Sequence, residues 1–223
     1  MVGSLAATEL GMPARRRKGG TLAWGMRKPH STPRHAAIAA ALLFAGSVVG
    51  FGALFPVFSQ LTHPVAMLGA TGVPRAPAFN LLAFIVPGLL SAFVAYAMRD
   101  AMADARWTAR LGAWALVLAG LAFSLQGVFP LDSHDLHADG SRWHAVMWTF
   151  WWIAFASGAA MLAIGEASRR GLGIAMLSCA ATTLLFALAM PGLLPVGLSQ
   201  RIAFAGWFLA TLLLGARLSR SAA

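Results

Sequence analysis

Six long, continuously apolar stretches dominate the sequence, and they leave the chain very few possible folds. They lie at about residues 36–58, 78–98, 107–129, 143–164, 171–190 and 197–216. Each is close to the roughly 20 residues that an α-helix needs to cross the hydrocarbon core of a bilayer. A transmembrane β-barrel would need alternating apolar and polar residues, and these stretches do not alternate. The sequence therefore predicts an all-α polytopic membrane protein, a bundle of six transmembrane helices.

The composition agrees with a lipid environment. Only 11% of the residues are charged, and the mean hydropathy is +0.72, whereas a soluble domain is about one quarter charged. The isoelectric point near 11.7 would suit a nucleic-acid-binding protein. The basic residues, however, stand in short clusters between the apolar stretches and form no basic groove with interleaved aromatics. We expect membrane lipid as a partner, no nucleic acid and no cofactor. Cys179 is the lone cysteine, so an internal disulfide is excluded.

The chain divides by composition into a tail, a membrane domain and a short C-terminal end. Residues 1–34 hold seven Lys or Arg and no apolar periodicity, which predicts a disordered basic cytoplasmic tail. Residues 35–218 form the predicted six-helix transmembrane domain, and residues 219–223 form a C-terminal tail. The first segment lacks the apolar core of a cleavable signal peptide. Met26, which begins MRKPHSTPRH, is a candidate start of translation.

The basic residues also predict the orientation of the six helices. Fourteen of the 17 Lys and Arg residues lie in the two tails and in the segments after the second and fourth apolar stretches. Arg75, Arg142 and Arg201 lie on the other side. Because Lys and Arg accumulate on the cytoplasmic side of a membrane protein, we expect both termini to be cytoplasmic and the chain to lie in the cell membrane.

Strongly polar side chains gather at the predicted outer ends of the helices. Two interpretations remain open: polar residues belong in the headgroup region in any case, with Arg201 contacting lipid phosphate, or the helix ends form an outward-facing polar pocket. The candidate pocket residues are Asn80, Gln126, Asp132, His144, Gln200 and Arg201. The helix centres hold no Asp, Glu, Lys or Arg at mid-depth. This argues against a proton-coupled pump, because intramembrane charges mark proton and ion pathways.

A dense run of Asp and His follows the third stretch, FPLDSHDLHADGSRWH at residues 129–144. His134, His137 and His144 are the candidate metal ligands, since imidazole and carboxylate groups bind zinc. Gly140 interrupts the run, and no motif such as H-E-x-x-H is present. A hydrolase would need a positioned base beside a nucleophile such as Ser133 or Ser141, which spacing does not show. The simpler interpretation is a solvated loop with no metal site.

Two features of the helices themselves bear on packing. Gly46 and Gly50 form a small-xxx-small pair that would let the first helix approach a neighbour closely. Glycine is also common in membrane helices without such a role. Trp148, Trp151 and Trp152 lie deeper in the fourth stretch, where we expect them to pack or to face lipid rather than to stack on a ligand.

Several short motifs together resemble a known family. They are QLTHPVAMLGATGVPRAPAFN at 60–80, PGLL at 87–90, GVFPLD at 127–132 with His144, and GLSQRIAFAGW at 197–207. In order and spacing they resemble the six-helix bacterial and archaeal membrane family called domain of unknown function 998, over about residues 36–218. The resemblance implies a multi-pass membrane protein and supplies no catalytic residues. The positions that fit its pattern are Asn80, Pro87, Gly88, Gly127 to Pro130, His144, Gln200 and Arg201; His134 and His137 lie outside it.

These features lead to three functional hypotheses. The first is an integral membrane protein with an outward-facing polar pocket for a lipid headgroup or a small solute. The second is an intramembrane metal-assisted lipid hydrolase, although an enzyme is the less favoured interpretation. The third is a small transporter or a subunit of a membrane complex. The pocket hypothesis requires that Asn80, Gln126, His144 and Arg201 face one cavity, whereas a transporter requires a cavity that reaches the middle of the membrane.

Overall fold

The computed structural model describes residues 32–165 and 170–220, and all regular structure in these ranges is helical. Six helices are long and apolar enough to cross a membrane, so the predicted multi-pass bundle is confirmed. Inside hydrocarbon every backbone N–H and C=O must find a partner within the chain, and helices meet this requirement. The helices are α1 Thr32–Ala53, α2 Ala76–Asp100, α3 Trp107–Val128, α4 Asp139–Gly165, α5 Arg170–Gly192 and α6 Val196–Arg220.

The helix ends differ from the predicted limits by four or five residues in α1, α4 and α6. Helix α1 ends at Ala53, five residues earlier than predicted, and the apolar residues 54–58 belong to the following connection, which contains Pro56. Helix α4 begins at Asp139, four residues earlier than predicted, with Gly140 in its first turn. Residues 1–31, including Met26 and most of the predicted tail, lie outside the described residues, while residues 32–34 begin α1.

Consecutive helices run in opposite directions and give the bundle two distinct ends. The connections 54–75, 129–138 and 193–195 lie at one end, which we call the loop end. The described chain begins and finishes at the other end, which we call the terminal end. Each helix packs against its neighbours in sequence, and α6 closes the ring against α1. The chain is therefore a closed ring of six helices.

Glycines allow the closest helix contacts. A Cβ atom on Gly112 of α3 would lie 2.7 Å from the Leu162 backbone nitrogen of α4, and one on Gly158 would lie 2.9 Å from the Gly112 carbonyl oxygen. Gly46 and Gly50, by contrast, have no atom within 4 Å of such a Cβ and are exposed on α1. The predicted close approach is therefore absent at Gly46 and Gly50 in the described chain, while α3 and α4 do approach closely at Gly112 and Gly158.

Two helices widen before a proline. The segment Leu81–Ile85 of α2 is a π-helical turn that precedes Pro87, and Leu185–Ala189 of α5 is a second one that precedes Pro191. A proline cannot donate to the preceding turn and crowds it, and a wider turn relieves this. In α2 the Ser124 hydroxyl of α3 donates to the Ile85 carbonyl at 3.1 Å. This bond links α3 to the distorted turn of α2.

Candidate functional site

The connection 54–75 is fixed to the start of α6 at the loop end. The Gln200 side-chain Oε1 accepts a hydrogen bond of 3.0 Å from the Val65 backbone N–H. The Thr71 backbone N–H donates to the Leu131 carbonyl at 2.8 Å and so joins this connection to the one between α3 and α4. The two longer connections are therefore held to each other and to α6.

Arg201, the next residue on α6, strengthens the same attachment. Its guanidinium donates through Nε and Nη2 to the Gln60 Oε1 and through Nη1 to the carbonyls of His63 and Gly197, at 2.6–3.1 Å. The guanidinium also lies 5.7 Å from the centre of the Phe58 ring, a cation–π distance. Most of its N–H groups therefore donate to the protein, and Arg201 holds the connection 54–75 against α6.

The Asp/His run forms an ordered turn. The Asp132 Oδ1 accepts hydrogen bonds from the backbone N–H groups of His134 and Asp135, at 2.9 and 3.2 Å. The buried Ser141 hydroxyl accepts the Asp132 N–H and lies within 3.3 Å of the carbonyls of both aspartates. This arrangement fixes the path of the chain into α4. It leaves His134 and His137 exposed.

A partly open cavity of about 240 Å³ lies between these connections and the helix ends. Pro64, Ala66 and Leu131 of the connections line it, together with apolar side chains of the helices. Three polar side chains, one each from α3, α4 and α6, also line it. These are Gln126, His144 and Gln200.

Gln126 is the most unusual residue of this lining. Its side chain is 1% exposed, yet neither its amide nitrogen nor its amide oxygen has a hydrogen-bond partner among the described residues. Buried polar groups in proteins are nearly always paired. A residue of the cavity lining therefore carries one donor group and one acceptor that the described chain does not use.

The two ring nitrogens of His144 differ in their surroundings. Its Nδ1 lies 3.0 Å from both the Gln126 and the Phe129 backbone carbonyl oxygens. Carbonyl oxygens only accept hydrogen bonds, so Nδ1 carries the hydrogen, and in the neutral imidazole Nε2 is then an acceptor. Since Oε1 of Gln200 accepts from Val65, the amide N–H₂ of Gln200 is the part left for a ligand.

The cavity walls and floor are aromatic. Phe84, Trp148 and Phe204 line the cavity, and Phe84 meets the His144 ring edge to face at 6.3 Å. Farther from the loop end, the fully buried Trp151 packs against Trp148 and Phe204, with ring centres 5.1 and 5.3 Å apart. Trp151 itself is not among the residues that line the cavity.

The structure brings together three of the six candidate pocket residues. Gln126, His144 and Gln200 line the cavity. Asn80 instead donates to the Gly69 carbonyl at 2.9 Å, while Asp132 and Arg201 bond to the connections as described above. No three His, Cys, Asp or Glu side chains within residues 32–165 and 170–220 are placed to hold a metal ion, so His134, His137 and His144 are not brought together.

Trp148 is a lining residue whose position in an apolar stretch predicted packing or contact with lipid. The signal that points to it is its spacing, four residues after His144, which places both side chains on one face of α4. Phe84 and Phe204 carried no signal, because an aromatic residue in an apolar stretch looks the same whether it faces the core, lipid or a cavity.

Comparison with known proteins identifies a family. A family model described as "Protein of unknown function (DUF998)" matches residues 37–217. Neither the curated proteins nor the solved structures gave a match to the chain.

Proposed function

This multi-pass membrane protein belongs to the DUF998 family, whose function is unknown. We propose that it binds a small solute or a lipid headgroup in the cavity at the loop end. The observation that carries this proposal is the Gln126 amide, which is buried in the cavity lining with both polar atoms unpartnered among the described residues. A bound ligand would supply the missing hydrogen bonds.

The size and lining of the cavity support a binding role. Its volume of about 240 Å³ is just below the roughly 300–1,000 Å³ of typical small-molecule sites. Apolar and aromatic walls with a few converging polar groups are also typical of such sites. A ligand of this size is a small solute or the polar end of a lipid, with the rest of the lipid outside the cavity.

Hydrolysis and transport receive less support from the same residues. Among the described lining residues there is no hydroxyl, thiol or carboxylate side chain, so His144 would have to activate water with no neighbouring group to orient it. Aromatic side chains pack beneath the cavity around Trp151, whereas alternating access needs a site that opens to both sides. We therefore favour binding over these alternatives.

We propose further that the loop end faces outward. Within the described residues, Arg34, Arg99, Arg106, Arg110, Arg170, Arg217 and Arg220 lie at the terminal end, and Arg75, Arg142 and Arg201 lie at the loop end. The excess of arginine favours a cytoplasmic terminal end. The ligand would then enter from outside the cell or from the outer leaflet.

Native mass spectrometry of the purified protein tests the binding function. We expect wild type to carry a small molecule or lipid, and Ala66→Trp, which fills the cavity, to lose it. Leu42→Trp is the control, because Leu42 is 67% exposed on α1 and does not line the cavity; this variant should retain the ligand. If all three proteins carry the same species in equal amounts, or none carries any, the proposal is wrong.

A further inference from the structure

The chemistry of the cavity lining restricts what the ligand can be. We infer that the cavity takes the uncharged hydrogen-bonding end, an amide or an alcohol, of a small amphipathic molecule. This inference rests on the proposed function and narrows its ligand class. It follows from three properties of the lining: its unpaired amide, its lack of charge and its aromatic walls.

The unpaired amide of Gln126 requires a ligand group that both accepts and donates hydrogen bonds. Its N–H₂ needs an acceptor and its oxygen needs a donor, and both lie on one planar group. A carboxamide offers the same pair in the opposite sense, and a hydroxyl offers both in one atom. The Nε2 of neutral His144 and the N–H₂ of Gln200 add a second acceptor and a second donor to the lining. A ligand that could only accept, or only donate, would leave part of Gln126 unpaired.

The charges around the cavity argue against an ion. None of the described lining residues is Asp, Glu, Lys or Arg. Two charged groups of the loop end are already engaged: Arg201 bonds to Gln60, His63 and Gly197, and Asp132 bonds to the His134 and Asp135 N–H groups. An ion without a paired counter-charge would lose hydration on entering and regain little.

The aromatic walls suit an apolar body attached to the polar group. Phe84, Trp148 and Phe204 offer ring faces and edges that pack against aliphatic carbon. The same rings would attract a quaternary ammonium by cation–π contact. Such a cation would leave the Gln126 N–H₂ and the Gln200 N–H₂ without an acceptor, so it is the less suitable occupant and serves as a competing probe in the test.

Thermal unfolding in lipid nanodiscs tests this ligand class. The probes are acetamide, acetate and tetramethylammonium at equal concentration, each with wild type and with Gln126→Met, which keeps a similar side-chain length and removes the amide. We expect acetamide to raise the unfolding temperature of wild type and to leave that of Gln126→Met unchanged. Acetate and tetramethylammonium should produce no shift that depends on Gln126.

A second comparison separates a soluble ligand from a lipid. Nanodiscs containing diacylglycerol, whose headgroup is an uncharged alcohol, are compared with nanodiscs containing phosphatidic acid, whose headgroup is a bare phosphate. A Gln126-dependent increase in unfolding temperature with diacylglycerol identifies a lipid as the source of the group, and an increase with acetamide alone identifies a free solute.

The results that overturn the ligand class differ from those that overturn binding itself. A Gln126-dependent shift with acetate, tetramethylammonium or phosphatidic acid as large as that with acetamide would refute the uncharged ligand and leave the binding function in place. No shift with any probe would also refute it; whether a ligand is bound at all is then decided by its loss from the Ala66→Trp protein in mass spectrometry.

Discussion

Gln126 and Gln60 lie at the same end of the bundle, yet their side chains are in opposite situations. The Gln60 amide is fully used: its Nε2 donates to the Val48 carbonyl at 3.0 Å and its Oε1 accepts from Arg201. The Gln126 amide has no partner within the described residues. An unpaired buried polar group costs about 1–3 kcal/mol of stability, and a hydrogen bond to a charged group contributes about 1.5–3 kcal/mol.

The same substitution at these two positions should therefore have opposite effects. In the absence of ligand, Gln126→Met should raise the free energy of unfolding by about 1–3 kcal/mol, because it removes an unpaired buried amide. Gln60→Met should lower it by about 2 kcal/mol or more, because it leaves the Arg201 guanidinium and the Val48 carbonyl without their partner. Chemical denaturation of the detergent-solubilised protein measures both values. Loss of stability in Gln126→Met would show that the amide has a structural partner.

The sequence identified which polar residues gather at one end, but not which of them are already bonded. Gln126, His144 and Gln200 could be placed near each other because alternate helix ends meet on one side of the membrane. Asn80, Asp132 and Arg201 follow the same rule, yet they bond to Gly69 and to the connections. These partners depend on the fold of residues 54–75 and 129–138, which carry no periodic pattern.

At the scale of the helix, the apolar stretches predicted the number and order of the elements well. The reason is that spanning a bilayer imposes a minimum apolar length, which can be read directly. The faces of the helices could not be read in this way, because in lipid both faces are apolar. For this reason the sequence predicted a close contact at Gly46 and Gly50 and not at Gly112 and Gly158, where α3 and α4 meet.

Alanine substitution distinguishes a packed glycine from a lipid-facing one. In Gly112→Ala the added Cβ would lie 2.7 Å from the Leu162 backbone nitrogen, so α3 and α4 must separate, and such overpacking costs about 1–3 kcal/mol. Gly46→Ala is the control: it meets nothing within 4 Å, and alanine favours a helix over glycine by up to about 1 kcal/mol. Unfolding temperatures measured in one detergent compare the two. Equal losses in both variants would contradict the packing of α3 on α4.

At the scale of the whole molecule, the ring of six helices places the cavity at the loop end. The two longer connections and the start of α6 contribute to its lining at the loop end, and Trp151 packs against the lining residues Trp148 and Phe204 on the side of the terminal end. From the distribution of arginine in the sequence, we propose that the loop end lies on the outer side of the membrane.

The central claim, a cavity that opens on the outer face of a membrane protein, is tested most directly by cysteine accessibility in sealed right-side-out vesicles. In a Cys179→Ser background, Leu131→Cys places a thiol in the cavity lining, and Asp104→Cys places one in the exposed connection between α2 and α3 at the terminal end. A membrane-impermeant maleimide should label Leu131→Cys in intact vesicles and Asp104→Cys only after detergent is added. Labelling of Asp104→Cys in intact vesicles, with Leu131→Cys protected until lysis, would contradict the account.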